Sequence, residues 1–166
     1  MGNTTIPHFA FTSRVNGVAK SLRNDVVLCN GETKIKYTAL WDTGATNTCI
    51  SNEAADALNL QCTGMTQIKT PSGIKTVKTY LIDIILPNNV TVKDIAVCDS
   101  EIGNQGIGAL IGMDIISAGE FNVSTFEGNT WFTFRMPAKK HTDYVEQINF
   151  ENLIGKKHGK GKRKHK

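Results

Sequence analysis

Apolar and polar residues alternate along several short stretches of the chain, and this period of two predicts β-strands. The stretches with this pattern, or with a short apolar run, are Val26–Cys29, Lys34–Leu40, Thr48–Ile50, Tyr80–Leu86, Val90–Val97, Phe121–Val123 and Trp131–Phe134. Turn-forming residues separate neighbouring stretches, most clearly at Asn30-Gly31, Pro87-Asn88-Asn89 and Glu127-Gly128-Asn129. Two further strands are expected on either side of Pro71-Ser72-Gly73. The pattern therefore predicts an all-β fold.

Helix is predicted at two short segments. Ser51 or Asn52 can cap a helix that runs through Glu53–Leu58, where most residues are helix-permissive. A second short helix is expected near Asp114, with the Asp114 side chain as its N-cap. After Pro137 the periodic pattern weakens, and no further element is predicted there.

The 166 residues fit a single domain, and the net charge of +4 is distributed unevenly. Seven cations lie in the tail 156–166, so removing them from +4 leaves −3 for the rest of the chain. We expect this tail to be disordered or, alternatively, to contact nucleic acid or another polyanion. We assign residues 1–24 to an N-terminal extension, 25–137 to the folded domain and 138–166 to a C-terminal extension that ends in the basic tail.

The sequence also argues against a membrane helix, a secretory signal and a metal site. No apolar run reaches the roughly 18 residues that a membrane helix needs, so we expect no membrane partner. Residues 1–10 lack the pattern of a secretory signal, which favours a cytoplasmic location. The cysteines form no CxxC pair and have no histidine at ligand spacing; they are Cys29, Cys49, Cys62 and Cys98. We therefore expect reduced thiols, with neither a metal nor a cofactor.

The residues Asp42-Thr43-Gly44-Ala45 place a carboxylate directly after an apolar strand, in a turn of small residues. By itself, Asp-Thr-Gly is typical of ordinary turns in which the Asp side chain bonds its own backbone. Further along the chain, the apolar pair Leu110-Ile111 is followed by Gly112. The order and context of these two motifs make Asp42 a candidate catalytic residue.

Together these motifs resemble those of the retropepsins, the retroviral-type aspartic proteases and their cellular and bacterial relatives. The turn Pro71-Ser72-Gly73 stands where that family has the tip of its flap hairpin, and the resemblance runs from about Asp25 to Met136. It implies a closed barrel with a flap hairpin and one or two short helices. Met113 stands where retroviral members usually carry an arginine, so this chain looks more like the cellular and bacterial members.

The resemblance also implies a mechanism and a homodimer. Two Asp side chains held close together share one proton, so that one acts as general base on a water and the other protonates the leaving amine. Asp42 is the only Asp followed by Thr-Gly, so a second copy of the chain would supply the other carboxylate. By resemblance, Thr43 bonds its counterpart across the two-fold axis, and Gly44 lets backbone and substrate come close. The implied substrate is a peptide or protein.

Four alternatives stay open. The chain could be a generic β-barrel with a stray turn, or a retropepsin-fold dimerisation or binding module without proteolysis. The basic tail could be the functional part, through its contact with a polyanion. Asp114 could also serve as a second acid instead of a helix cap.

Overall fold

A computed structural model of the chain describes residue 7 and residues 9–70 and 73–160, with side chains as far as residue 154. The strands in this range are β1 (Phe9–Val15), β2 (Leu22–Asn30), β3 (Thr33–Trp41), β4 (Cys49–Ser51), β5 (Gly64–Thr70), β6 (Gly73–Ile85), β7 (Thr91–Ser100), β8 (Ala109–Ile111), β9 (Glu120–Phe126) and β10 (Asn129–Met136). The helices are α1 (Asn52–Ala57), α2 (Met113–Ile116) and α3 (Tyr144–Lys160), with a 3-10 turn over Gly103–Gln105.

Six strands close into a barrel in the order β2-β3-β8-β4-β7-β6. The closing contact is the antiparallel pairing of β2 with β6, from Val27 opposite Ile85 to Cys29 opposite Asp83. β5 continues the sheet beyond β6 as the outer strand of a hairpin. Fully buried apolar side chains form the core, among them Leu28, Ile50, Ile84 and Ile111. The prediction of an all-β closed barrel is confirmed.

Local turn chemistry explains two of the hairpins. Gly31, between β2 and β3, has a φ of 56°, in the left-handed region that glycine adopts without steric cost. Glu127 and Gly128, between β9 and β10, have φ values of 47° and 75°. Two consecutive residues with positive φ match the right-handed twist of the strands on either side. Both hairpins were predicted from sequence and both are confirmed.

A second sheet, in the order β1-β10-β9, is joined to the barrel by aromatic side chains. Trp41, the last residue of β3, stacks on Phe121 with ring centroids 5.6 Å apart and lies 5.2 Å from the Phe134 ring. β1 pairs with β10 over its whole length and contributes Phe11, whose ring lies 5.5 Å from that of Trp41. Residues 9–24, which we assigned to an extension, therefore contribute strands to the folded unit and side chains that pack against its core.

The two short helices differ in how they begin. Ser51 caps α1 by accepting a hydrogen bond from the N–H of Ala54 at 3.1 Å, as predicted. The cap predicted for the second helix is wrong, because the N-cap residue of α2 is Gly112 and Asp114 lies inside the first turn. The Asp114 carboxylate accepts hydrogen bonds from Thr48 instead, so a residue distant in the sequence, just before β4, competes successfully with the local capping role.

The sequence pattern missed α3, which is 17 residues long. Its apolar side chains are exposed and spread around the helix without forming one stripe; they are Tyr144, Val145, Ile148, Phe150, Leu153 and Ile154. α3 includes residues 156–160, the start of the basic tail, where we expected disorder. Residues 161–166 lie outside the described part of the chain. None of the described helices is long and apolar enough to cross a membrane.

Candidate active site

The loop 42–48 connects the two strands that flank β8. β3 pairs with β8 in parallel and β4 pairs with it antiparallel. Trp41 at the end of β3 is opposite Ile111 at the end of β8. The turn that begins at Asp42 therefore lies beside Gly112, and the two motifs found in the sequence come together at one end of the barrel.

Hydrogen bonds within this turn fix the position of Asp42. Its N–H donates to the carbonyl oxygen of Ile111 at 3.0 Å, which attaches the turn to β8. Its Oδ1 accepts from the N–H of Gly44 at 2.8 Å, and its carbonyl oxygen accepts from the N–H of Ala45 at 3.2 Å. Asp42 is half-buried, whereas Thr43 and Gly44 are exposed. The carboxylate is thus held in one orientation on a turn that is open on one side.

The segment that begins α2 also bonds to this loop. The N–H of Met113 donates to the carbonyl oxygen of Ala45 at 2.8 Å, and the N–H of Asp114 donates to that of Thr46 at 3.1 Å. These contacts join residues far apart in the chain. As a result, the Asp42 loop is hydrogen-bonded both to β8 and to the residues that directly follow β8 in the chain.

Thr48 is a supporting residue that the sequence analysis did not single out. Its N–H and Oγ1 donate to the two carboxylate oxygens of Asp114, both at 2.7 Å, and its Oγ1 accepts from the N–H of Gly112 at 3.1 Å. Its side chain is completely buried. The one available sequence signal was a hydroxyl residue at the start of an otherwise apolar strand. Asp114, with both oxygens bonded to Thr48, supports the loop.

Two glycines allow the backbone to come close at this site. A Cβ added to Gly112 would lie 2.6 Å from the carbonyl carbon of Asn47, which is closer than carbon atoms approach without a shift of the backbone. A Cβ added to Gly44 would lie 3.1 Å from Oδ1 of Asp42. Side chains at either position would therefore disturb the loop that carries the candidate catalytic carboxylate.

The hairpin formed by β5 and β6 corresponds to the expected flap. The two strands pair along the full length of β5 and end with Thr70 opposite Gly73. Gly73 has a φ of 120°, in agreement with the turn predicted there. Pro71 and Ser72, the other two residues predicted at the tip, lie outside the described residues.

The base of this hairpin is attached to β7. The Asp99 carboxylate accepts hydrogen bonds from the N–H of Lys78 at 2.9 Å and from the hydroxyl of Tyr80 at 3.3 Å. Lys75 forms an ion pair with Glu101 at 3.1 Å. A groove of about 480 Å³ separates the hairpin from the end of β7. Because β7 also pairs with β4, the hairpin is connected to the Asp42 loop through two strands.

The described residues include no group of three or more His, Cys, Asp or Glu side chains placed to hold a metal ion. All four cysteines are free thiols, as predicted. Burial raises the pKa of the Cys29 thiol, which keeps it protonated and unreactive.

Comparison with known proteins gives a family match and several similar solved structures. The model of the family described as "gag-polyprotein putative aspartyl protease" matches residues 27–118, which include both motifs and the β5–β6 hairpin. A retropepsin-like aspartic protease from Rickettsia conorii is 14% identical, with 80% of this chain and 98% of that one covered and a TM-score of 0.48. The protease of Simian Foamy Virus (mac) is 24% identical, with 57% and 92% covered and a TM-score of 0.39. No curated protein matches the chain.

Proposed function

The chain belongs to the family of gag-polyprotein aspartyl proteases, as its sequence motifs predicted, and on that premise we propose that it is an aspartic endopeptidase that acts as a homodimer. The observation that carries the proposal is the attachment of the Asp42 turn to β8: the N–H of Asp42 bonds the carbonyl oxygen of Ile111, and Gly112 packs against the backbone of Asn47. The Asp42 carboxylate is held by the N–H of Gly44, and the next two residues of the turn are exposed. A carboxylate that is both fixed and accessible suits general acid–base chemistry.

The mechanism requires a second carboxylate, and no acidic side chain in the described part of one chain is well placed to supply it. Asp114 is the acid nearest to the loop in the hydrogen-bond network, but both of its oxygens are bonded to Thr48 and one also accepts from the N–H of Ile115 at 2.9 Å. Asp42 of a second copy is the simplest partner, because a two-fold axis brings identical turns together. The exposure of Thr43 and Gly44 leaves room for that contact.

In the proposed reaction the two Asp42 side chains share one proton, since two adjacent carboxylates cannot both ionise without strong repulsion. The ionised side chain removes a proton from a bound water, which attacks the scissile carbonyl carbon. The protonated side chain polarises the carbonyl oxygen, and a proton then passes to the leaving amine. The β5–β6 hairpin, attached to β7 at its base, would cover the bound peptide.

The test is cleavage profiling of a peptide library with the wild-type protein and Asp42→Asn. The substitution keeps the shape of the side chain but removes the titrating group, so cleavage should fall by about three orders of magnitude or more. Asp56→Asn is the matched control, because Asp56 is exposed on α1 and should tolerate the same change without loss of activity. Near-normal cleavage by folded Asp42→Asn would refute the proposal.

A further inference from the structure

Cys49 and Cys98 are direct neighbours on two adjacent strands. β4 and β7 run parallel, and Cys49 is paired with Cys98 in their register. Paired residues on parallel strands project their side chains to the same face of the sheet. The two thiols are close enough to shift each other's pKa, although they are far apart in the sequence.

The separation of these strands suits a covalent link between the two residues. Neighbouring strands lie roughly 4.8 Å apart, and a disulfide joins Cα atoms separated by about 4.4–6.8 Å. Both cysteines are free in this structure, so the pair is present in its reduced form. Cys49 is half-buried, and Cys98 retains 9% exposure, so a small oxidant has a route to the pair.

We propose that Cys49 and Cys98 form a redox site, at which a hydroperoxide converts the two thiols into a disulfide that links β4 to β7 and a thiol reductant reverses the reaction. This site is separate from the Asp42 chemistry, and the proposal does not depend on whether the protein cleaves peptides.

The chemistry balances with hydrogen peroxide as the oxidant. The neighbouring Cys49 thiol lowers the pKa of Cys98, which favours the Cys98 thiolate as the attacking group. That thiolate attacks one peroxide oxygen, the O–O bond breaks, and the product is a sulfenic acid with one water after protonation. The Cys49 sulfur then attacks the Cys98 sulfur, the S–O bond breaks, and a second water leaves. Two thiols and one peroxide thus give one disulfide and two waters.

The position of the link determines its physical effect. The disulfide would close residues 49–98, which include α1 and the β5–β6 hairpin, into a covalent loop. Closing a long loop restricts the unfolded chain more than the folded one, so the oxidised protein should be more stable. The other two cysteines lie away from this pair. In the strand register Cys29 is opposite Lys34 on β3 and Asp83 on β6, and the thiol of Cys62 donates to the carbonyl oxygen of Gly64 at 3.1 Å.

The experiment uses the full chain, both unmodified and with Cys62→Ser, because the exposed thiol of Cys62 could otherwise link two copies. Each protein is treated with a small excess of hydrogen peroxide, unfolded, alkylated and digested for mass spectrometry. We expect two thiols to escape alkylation, a linked peptide containing Cys49 and Cys98, and a melting temperature about 5–10 °C higher than in the reduced protein. Dithiothreitol should reverse all three changes.

Cys49→Ala in the Cys62→Ser background is the matched control and should lose both the linked peptide and the shift in melting temperature. The proposal would be overturned if oxidation left both thiols open to alkylation. It would also be overturned if Cys98 stopped at a sulfenic or sulfinic acid, or if the linked peptide contained Cys29. These outcomes are measured on the chain with Cys49 and Cys98 intact, so they do not depend on the folding of the control.

Discussion

At the scale of single residues, Thr48 joins the two backbone segments that meet beside Asp42. One hydroxyl group donates to the Asp114 carboxylate and accepts from the N–H of Gly112. Because Thr48 is fully buried, water cannot replace either bond when the hydroxyl is removed. The geometry of the Asp42 loop therefore depends on a residue that takes no part in the proposed chemistry.

Thr48→Val keeps the shape of the side chain and removes only the hydroxyl. We expect it to lower the free energy of unfolding by about 1–3 kcal/mol, because a buried N–H and a carboxylate oxygen each lose a partner. Urea denaturation measures the change. The control is Thr12→Val, whose exposed hydroxyl lies 3.2 Å from that of Thr133 and whose loss should cost less than about 0.5 kcal/mol. Equal effects of the two substitutions would show that the Thr48 network does not stabilise the fold.

Gly112→Ala tests how closely the backbone at Gly112 packs against the backbone at Asn47. The φ of Gly112 is −96°, which alanine adopts readily, so the added methyl group acts only through its close contacts with the backbone of Asn47, at 2.6 Å, and Thr48, at 3.0 Å. We expect a loss of about 1–3 kcal/mol in stability, together with reduced peptide cleavage as the Asp42 loop shifts. In Gly64→Ala the new Cβ would meet only the side-chain oxygen of Thr79, at 3.3 Å. This control should retain stability and cleavage; if Gly112→Ala does the same, the two segments are not tightly packed.

At the scale of secondary-structure elements, Glu120 attaches the segment after β10 to the start of β9. Its carboxylate pairs with the guanidinium of Arg135 and accepts hydrogen bonds from the N–H groups of Lys139, at 2.6 Å, and Lys140. The N–H of Lys140, followed by Arg135, lowers the pKa of Glu120 from 4.5 to about 2. The segment that leads to α3 is therefore held by the ionised form of one side chain.

The stability that Glu120 contributes should depend on pH. Because its pKa is lower in the folded protein, the stabilisation is complete above the ordinary value near 4.5 and is lost as the pH falls toward about 2. Glu120→Gln should therefore be less stable than the wild type at pH 7, and the difference should shrink as the pH falls through this range. Urea denaturation as a function of pH gives the comparison, with Glu127→Gln in an exposed turn as the control. A constant difference across this range would contradict the prediction.

At the scale of the whole molecule, the fold places one candidate catalytic carboxylate at an open end of a closed barrel. The sheet β1-β10-β9 packs against the barrel through the aromatic cluster around Trp41 and leaves the Asp42 turn exposed at Thr43 and Gly44. Under the proposed function, activity belongs to a pair of chains. Assembly and catalysis should then vary together.

Mixing the wild type with Asp42→Asn chains tests this dependence. If copies pair at random, an equal mixture contains about one quarter wild-type dimers, so activity per total chain should fall to about one quarter. Independent monomers would instead give about one half. Dilution of the wild type should also lower activity per chain, in parallel with dissociation measured by sedimentation. An equal mixture with Asp56→Asn, which should stay active, controls for the handling of the samples.

The sequence alone determined the features that depend on neighbouring residues. The β2–β3 and β9–β10 hairpins follow from alternating residues on either side of turns that require positive φ, and Ser51 caps α1 three residues from its partner. Asp42 could be chosen from the sequence as the candidate catalytic residue, because the Asp-Thr-Gly turn and the later apolar-Gly motif are each continuous in the sequence. Helix α3 could not be predicted from the sequence, because its apolar residues do not share one face and so do not recur with the period of a helix.

Only the tertiary structure decided which distant residues meet. The insertion of β8 between β3 and β4 brings Thr48 to Asp114 and Asn47 against Gly112, and the register of β4 with β7 places Cys49 beside Cys98. The pairing of β1 with β10 likewise brings Phe11, from the N-terminal segment, against the core. Local patterns specify strands and turns through backbone preferences, but strand order and register depend on how all the apolar faces are buried at once.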